Sequence, residues 1–249
     1  MFVANGTLCP ENVGLLQEAV KQRQLMATLL GYRTYADFIL KTQMAQSPEN
    51  VYKMENDRFH GTSCDEADYV EAVSQMMEYW AWEPEFLRRF SKHYKTGEPI
   101  PKNKLYALID TRWDELGTDK LGQVFLGLFD MTIHNTADGN YKVDELYNRM
   151  QNDIVLSNFG DAKVFKVATR EHLMSAYAGT YYAYLWAETI SADMFMSRFK
   201  KDGIDNPKTG MDFRHEILCP GGSREAMVSL KRFLGRKPNS EAFINMLTP

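Results

Sequence analysis

Apolar residues recur at helical spacing along almost the whole chain, and this pattern limits the folds that it can form. Behind Pro10, the residues Val13, Leu16 and Val20 follow one another at intervals of three and four, until Gly31 stops the run. These intervals place side chains on one face of a helix, whereas a strand needs strict alternation. Further helices are predicted at 34–44, 68–80, 101–113, 116–134, 143–152, 171–200, 223–234 and 240–247. The pattern predicts an all-α fold, with the whole chain of 249 residues forming a single helical domain.

Two local signals refine this prediction. Thr34 followed by Asp37 resembles a capping box, in which each side chain accepts a hydrogen bond from the other residue's backbone N–H. Alternation of apolar and polar residues, which is typical of a strand, is confined to 163–169. We therefore expect a helix that begins at Thr34 and, at most, one short strand.

Composition and charge argue against several classes of partner. The net charge is −4, and no run of Lys and Arg is long enough to attract nucleic acid or an anionic membrane. No apolar run approaches the roughly 18 residues of a membrane span, and the first residues do not read as a signal peptide. Cys9, Cys64 and Cys219 are odd in number and far apart, which indicates no disulfide framework. We predict a cytoplasmic protein that binds neither nucleic acid nor membranes.

The most aromatic stretch of the chain is 171–195, with the sequence EHLMSAYAGTYYAYLWAETISADMF. Tyr177, Tyr181 and Tyr184 are spaced four and three residues apart, so a helix would present them on one face. Each buried phenol needs a hydrogen-bond partner, which makes a row of tyrosines unusual for a dry core. The spacing alone leaves both a core face and a pocket wall open. Three other aromatics fall off this face and are assigned to the core: Tyr182, Trp186 and Phe195.

The predicted helix at 68–80 has two different sides. One side carries large apolar residues, which we expect to face the core: Val70, Val73, Met77 and Trp80. Another side carries a polar stripe at positions i, i+4 and i+7: Glu71, Gln75 and Glu78. Spacing alone allows such a stripe to face either solvent or a wet cleft.

Five blocks of sequence carry a resemblance to a known family. They are LLGYRTYADFILKTQMAQSPENV, FHGTSCDEADYVEAVSQMMEYW, HYKTGEPIP, EHLMSAYAGTYYAYLWAETISADMFMSRF and ILCPGGSREAMVSLKRFLGRKPNSEAF. In this order they resemble segments of the thimet oligopeptidase family, zinc peptidases whose catalytic domain is a mostly helical channel. The resemblance covers most of the chain and implies an all-α domain similar to the closing half of that channel.

One part of the family pattern is missing from this sequence. In the family, a large segment between the counterparts of Val51 and Phe59 carries an H-E-x-x-H helix, which supplies two zinc ligands and the general base. Here seven residues, YKMENDR, occupy that place, and H-E-x-x-H occurs nowhere in the chain. The nearest sequence, HEILC at 215–219, matches a family segment without a metal role. A catalytic zinc needs about three protein ligands. The resemblance leaves only Glu71, so we predict no bound metal and no other cofactor.

The resemblance also implies roles for residues that remain. Glu71 matches the family's third zinc ligand, and His172 with the spaced tyrosines matches positions that bind substrate and stabilise an oxyanion. On this basis the predicted catalytic residues are Glu71, His172 and Tyr181. The predicted substrate-binding residues are Tyr177, Tyr184, Gln75 and Glu78. The resemblance thus favours a pocket wall for the tyrosines, with Glu71 and His172 in the same pocket.

Three functions are consistent with this sequence. The first is a repurposed enzyme without metal, in which His172 and Glu71 exchange protons and tyrosines stabilise a developing oxyanion. Such groups suit cyclisation, isomerisation or dehydration of a small molecule or peptide-derived substrate. The second is a pseudopeptidase that binds a peptide or small molecule unchanged. The third is a peptidase whose metal site is rebuilt or is completed by a partner chain. Loss of half the channel would uncover apolar helix faces, so a homodimer is also predicted.

Overall fold

The computed structural model describes residues 11–41, 43, 47–48, 68–114, 116–136, 142–156, 166–220 and 224–247. The α-helices within them are α1 (Glu11–Leu29), α2 (Tyr35–Leu40), α3 (Val70–Glu78), α4 (Pro84–Phe90), α5 (Lys102–Asp110), α6 (Leu116–Asn135), α7 (Val143–Val155), α8 (Ala183–Met194), α9 (Pro207–Phe213), α10 (Ala226–Leu234) and α11 (Glu241–Leu247). Short 3₁₀ turns occur at Tyr79–Trp82, Thr111–Trp113, Lys166–Thr169 and Glu171–Met174, and π-helical turns at Phe195–Lys200 and Arg214–Leu218. This part of the chain is all-α and contains no strand, only a β-bridge between Lys92 and Pro99.

The start of α2 confirms the predicted capping box. Thr34 has extended backbone angles, its hydroxyl accepts from the N–H of Asp37 at 3.1 Å, and the Asp37 carboxylate accepts from the N–H of Thr34 at 3.1 Å. The helix ends at Leu40, short of the predicted end at 44, a residue outside the described ones. Helix starts are predictable here because a cap depends on residues three positions apart.

The prediction of one helix over 171–200 is wrong in its first half. Glu171–Met174 forms a 3₁₀ turn, 175–182 continues as turns, and α8 begins only at Ala183. Gly179 has a φ of +76°, in the left-handed region that a helix interior does not use. The predicted strand at 163–169 is also wrong where it can be described, because Lys166–Thr169 is a 3₁₀ turn and 163–165 lie outside the described residues.

Helix α3 buries a different face from the predicted one. Ala72 and Met76 are fully buried, whereas Val70 and Met77 are 51% and 49% exposed. Helix α3 packs along α8, and Ala72 and Met76 belong to the apolar cluster that surrounds α8. Val73 lies only at the edge of this cluster, as does Trp80 beyond the helix. The prediction that Val70 and Met77 face the core is therefore wrong.

Two apolar clusters hold the helices together. The first surrounds α8 and contains the three aromatics assigned to the core from sequence, which confirms that assignment: Tyr182, Trp186 and Phe195. The second lies between α1, α6 and α7 and includes Leu16, Phe129 and Tyr147. Helix α8 thus runs from the edge of the second cluster, at its N-terminal end, into the centre of the first.

Several large apolar side chains are exposed on the described part of the chain. Leu25, Leu29 and Leu30, near the end of α1, are each more than half exposed. The predicted homodimer is one way to cover them and stays a prediction, as do the cytoplasmic location and the absence of nucleic-acid and membrane partners. Among the described helices, none combines the length and apolar character that crossing a membrane would require.

Candidate functional site

The polar stripe of α3 contacts the turns that precede α8. The Tyr177 hydroxyl donates to Glu71 Oε1 at 3.4 Å, and the Gln75 Nε2 group donates to the backbone carbonyl of Tyr184 at 3.3 Å. Glu71 Oε2 also accepts from the Ser74 hydroxyl at 3.3 Å. Glu78, near the end of the helix, is exposed. Two of the three stripe residues therefore reach the segment that carries the tyrosines.

Three tyrosine rings surround the imidazole of His172. The ring centroid of His172 lies 5.3 Å from that of Tyr177, 5.7 Å from that of Tyr181 and 6.0 Å from that of Tyr184. Tyr177 stacks on Tyr184 at 5.1 Å, and Tyr181 lies 5.4 Å from Tyr184. We call these four side chains the His172 cluster. Aromatic pairs at such separations favour tilted and offset arrangements, which fixes the rings relative to one another.

The cluster forms for a reason that differs from the predicted one. Tyr177 and Tyr181 lie in turns, so the shared helix face inferred from their spacing does not exist. The left-handed Gly179 reverses the chain between them, and its N–H donates to the Asp130 carboxylate of α6 at 3.0 Å. The structure nevertheless brings Glu71, His172 and the three tyrosines together. Their roles in binding or catalysis stay predictions.

Tyr184 is held in its protonated form. Burial raises the pKa of Tyr184 above its ordinary value of 10.0, and its hydrogen bond with Tyr177 and the nearby charge of Glu71 raise it further. The Tyr184 ring stacks on that of Tyr177, whose hydroxyl donates to Glu71. The three side chains are thus neighbours in a series that ends on a carboxylate.

Tyr181 has a different environment, although sequence reasoning grouped it with the catalytic residues. Its side chain is only 9% exposed and belongs to the cluster between α1, α6 and α7. Burial raises the pKa of Tyr181, while the charge of Arg170 and a hydrogen bond with Gln123 partly oppose that shift. The Tyr181 hydroxyl is thus already engaged by the protein, which gives the ring the surroundings of a packed wall.

A cavity of about 440 Å³ lies beside the His172 cluster. Three predicted substrate-binding residues, Gln75, Glu78 and Tyr184, contribute to its lining. The wall also contains residues that sequence reasoning did not single out: Tyr79, Trp82, Arg112, Asp119, Lys120, Gln123 and Glu188. Its volume is within the lower part of the range for small-molecule sites. Tyr184 belongs both to this wall and to the His172 cluster.

Polar atoms in the cavity wall have unused hydrogen-bonding capacity. The carbonyl oxygens of Gln75 and Gln123 are buried, and neither meets a donor among the described residues. The Arg112 guanidinium lies over the rings of Tyr79, at 5.2 Å, and Trp82, at 5.5 Å. Within the described part of the chain, no carboxylate forms an ion pair with Arg112. The two amide oxygens are shielded from the cavity, so the group of this wall that offers donors to a ligand is Arg112.

The residues present do not fit the zinc ion that the family resemblance implies. The only implied ligand left is Glu71, whose Oε1 atom already accepts from Tyr177, and one carboxylate does not supply the three protein ligands of a catalytic zinc. Across the described residues, no three His, Cys, Asp or Glu side chains lie close enough together to hold a metal ion. His134 is engaged by Asp130, and His60 lies outside the described residues.

The most informative residue that sequence reasoning missed is Asp130. It stands inside the apolar run LGLFDMTIH of α6, and its side chain is fully buried. A single carboxylate within an apolar run is a usable signal, because a buried charge must have partners in the tertiary structure. Gln123 and Arg112 carry no comparable signal, since both are ordinary residues of a solvated helix face.

Known proteins match most of this chain. The profile of Peptidase family M3 matches residues 3–59 and 54–248, as two segments. Saccharolysin of Saccharomyces cerevisiae is 38% identical over 192 residues, which is 76% of this chain and 27% of the relative. Oligopeptidase A of Haemophilus influenzae is 42% identical over 182 residues, 71% of this chain and 26% of the relative. Mitochondrial intermediate peptidase of Homo sapiens is 28% identical over 190 residues.

The chain spans about a quarter of the length of these curated relatives. The two matched segments meet near residues 54–59, where the resemblance already implied that a large part of the family pattern is absent. The helical fold and the match over nearly the whole chain agree with one another. The chain belongs to Peptidase family M3.

Proposed function

We propose that this chain is an acid–base enzyme that works without a metal, on a small molecule or a peptide-derived substrate. The observation that carries the proposal is the series formed by Tyr184, Tyr177 and Glu71. Tyr184 lines the cavity and its ring stacks on that of Tyr177, and the Tyr177 hydroxyl donates to Glu71 at 3.4 Å. Such a series connects a substrate in the cavity to a carboxylate that can take up a proton.

The proposed proton path has a direction. In it the Tyr184 hydroxyl donates to Tyr177, so the remaining lone pair of the Tyr184 oxygen can accept a hydrogen bond from a ligand. When a substrate gives a proton to the Tyr184 oxygen, the Tyr184 proton passes to Tyr177, and the Tyr177 proton passes to Glu71. The net result is transfer of one proton from substrate to carboxylate. The reverse transfer, to a different substrate atom, completes an isomerisation without oxidation or reduction.

His172 supplies a second group for proton exchange. Its ring contacts all three tyrosines, and imidazole is the side chain that most often moves protons in enzymes. A carboxylate and an imidazole on the two sides of Tyr177 can act as a base and an acid in one reaction. This pairing suits isomerisation, cyclisation or dehydration. It suits amide hydrolysis less, since water must be activated before it attacks an amide.

The substrate class follows from the cavity and from the relatives. The cavity wall offers Arg112 as a donor and the carboxylates of Glu78 and Asp119 as acceptors, a combination that recognises carboxylate and N–H groups. Several matched relatives are named oligopeptidases, which supports a peptide-derived ligand for this chain. A ligand that is bound but not changed would instead make this chain a pseudopeptidase.

The test begins with a search by native mass spectrometry for a small molecule or peptide that copurifies with the chain. A ligand found in this way is then incubated with the protein in heavy water. We expect the wild-type protein to introduce deuterium into the ligand, and Glu71→Gln to bind the ligand without exchange. Glu145→Gln is the control, because Glu145 is an exposed carboxylate that pairs with Lys142 and does not line the cavity. It should retain exchange.

Three outcomes contradict the proposal. Binding without deuterium exchange in the wild-type protein would identify a binding protein. Exchange that survives Glu71→Gln would place the base elsewhere. A stoichiometric metal found by elemental analysis, whose removal by a chelator abolishes exchange, would identify a rebuilt metal site that includes residues beyond those described.

A further inference from the structure

A buried carboxylate on α6 binds the turn that carries the tyrosines. Asp130 is fully buried, and its two oxygens accept from two backbone N–H groups of this turn. Oδ1 accepts from Gly179 at 3.0 Å, and Oδ2 accepts from Tyr181 at 2.9 Å. A carboxylate is the only side chain with two such acceptors and no donor. The two bonds fix the turn at the point where Gly179 takes its left-handed conformation.

His134 extends this contact to α1. Its Nδ1 atom lies 2.9 Å from the Asp130 carboxylate, and its Nε2 atom lies 3.2 Å from an Arg23 Nη1 group, which can only donate. These partners assign the neutral form with the proton on Nδ1, since a proton on Nε2 would face the Arg23 donor. The same Arg23 group donates to the backbone carbonyl of Leu173 at 2.8 Å.

Asp130, His134 and Arg23 form a network whose hydrogen bonds reach the backbone next to the candidate site. Leu173 directly follows His172, and the two N–H groups held by Asp130 lie between Tyr177 and Tyr184. Hydrogen bonds with Asp130 and Arg23 therefore hold the backbone segments to which the side chains of the His172 cluster are attached. Packing also restricts the residue type at position 179, because a Cβ there would lie 3.0 Å from Ile39 Cγ2.

We propose that Asp130 is a positioning residue, whose carboxylate sets the backbone of the turn and so the arrangement of His172 and the three tyrosine rings. The inference rests on the proposed function, because it concerns how that same group of side chains is held. Its test measures the arrangement of the rings and not turnover, so either proposal can fail without the other.

The experiment compares two buried aspartates. Asp130→Asn keeps the shape of the side chain but replaces one acceptor oxygen by an NH₂ group, which must face a backbone N–H. The matched control is Asp193→Asn on α8, since Asp193 is equally buried and also accepts from a backbone N–H, that of Asn239 at 2.9 Å. Both variants should lower the melting temperature. Only Asp130→Asn removes a contact to the turn that contains Gly179 and Tyr181.

The readout is the nuclear magnetic resonance signal of the His172 ring protons in histidine-labelled protein, assigned by the loss of that signal in His172→Ala. Three neighbouring tyrosine rings displace this signal from that of free histidine. In folded Asp130→Asn we expect most of the displacement to be lost, and in Asp193→Asn we expect it to be kept. Arg23→Met, which removes the donor to Leu173 at the partly buried edge of the network, should cause a smaller loss of displacement.

If Asp130→Asn does not fold, Asp130→Glu takes its place, because it keeps both acceptor oxygens but displaces them from the Gly179 and Tyr181 N–H groups by one methylene group. A His172 signal that is unchanged in every folded variant of the network would overturn the proposal. So would an equal loss of displacement in Asp193→Asn, because the effect would then report general loosening of the fold.

Discussion

The two ends of α8 each meet a fully buried aspartate, yet the surroundings of these two carboxylates differ. At the C-terminal end, Asp193 on α8 itself binds Arg236 through both guanidinium NH₂ groups, with one bond of 2.8 Å. It also accepts from the Ser197 hydroxyl at 2.7 Å and from the N–H of Asn239 at 2.9 Å. At the N-terminal end, Asp130 belongs to another helix and binds two backbone N–H groups and an imidazole.

The side chains around the two ends of α8 also differ. The C-terminal end continues into a cluster of phenylalanine rings, in which Phe199 contacts Phe213 edge-on and Phe233 at a tilt. The N-terminal end continues into the His172 cluster and a cavity whose wall contains Arg112, which forms no ion pair with a carboxylate of the described residues. Around Asp193 the hydrogen-bonding groups satisfy one another, whereas around the cavity some remain open to a ligand. One helix therefore has a structural end and an end that is suited to binding.

The largest expected effect is at the structural end. Arg236→Met should destabilise the fold by about 3 kcal/mol, at the low end for a broken buried ion pair, because Arg236 is itself 40% exposed while Asp193 is fully buried. Arg89→Met is the control, since the Arg89–Asp205 pair is exposed on both sides. It should cost much less, because solvent screens an exposed ion pair. Urea unfolding measures both, and equal losses would show that Asp193 does not need its cation.

A second comparison tests how tightly the turn before α8 is held. Gly179 and Gly235 have similar φ values, +76° and +72°, but only Gly179 has a neighbour where a Cβ would lie, Ile39 Cγ2 at 3.0 Å. Gly235→Ala should cost about 1 kcal/mol for the left-handed backbone. Gly179→Ala should cost about 2 kcal/mol, since a steric conflict is added. Equal costs in urea unfolding would mean that Ile39 moves aside.

Alkaline pH tests Tyr79, which lines the cavity and stacks on Phe195 at 5.0 Å. Burial raises the pKa of Tyr79 from 10.0 to about 12, the charges of Glu188 and Glu78 add to the shift, and Arg112 opposes it. Above pH 10 the unfolded chain loses this proton while the folded chain keeps it, so stability falls as pH rises from 10 towards 12. At pH 11 the loss should be about 1 kcal/mol.

Two phenylalanine variants distinguish this effect from general alkaline unfolding. Tyr79→Phe should show a smaller fall in stability over the same pH range, because it has no proton to lose. Tyr94→Phe should not change the fall, since Tyr94 is 84% exposed. Indistinguishable pH profiles for Tyr79→Phe and the wild-type protein would contradict the assignment.

The smallest expected effect on stability is at the series that defines the proposed function. Tyr177→Phe should change the free energy of unfolding by about 0.5 kcal/mol, because its bond to Glu71 is long, at 3.4 Å, and partly buried. It should nevertheless abolish deuterium exchange into the ligand. Tyr182→Phe is the matched control, since the Tyr182 hydroxyl donates to buried Asp68 at 2.7 Å.

The control variant should show the opposite pair of results. Tyr182→Phe is expected to cost about 2 kcal/mol, because it removes a hydrogen bond to a buried charged group, and to leave exchange intact. If Tyr177→Phe destabilised the fold as much and exchange persisted, the N-terminal end of α8 would be structural as well.

The sequence by itself determined the helical character of the chain and several of its local details. The capping box of Thr34 and Asp37 was predictable because its partners are three residues apart. The burial of Trp186 and Phe195 was predictable from their positions within a strongly apolar segment. The family resemblance directed attention to Glu71 and the tyrosines, but it could not say how they meet.

Only the tertiary structure decided which faces meet and how the candidate site is built. Helix α3 buries Ala72 and Met76 because its contact with α8 selects a face, and the spacing of Val70 and Met77 cannot reveal that choice. The tyrosines converge through a left-handed turn instead of a helix face, because a carboxylate from a distant helix, Asp130, binds that turn. Contacts within a few residues leave a local pattern in the sequence, whereas an aspartate in an apolar run indicates only that it needs partners, and the fold decides which backbone groups these are.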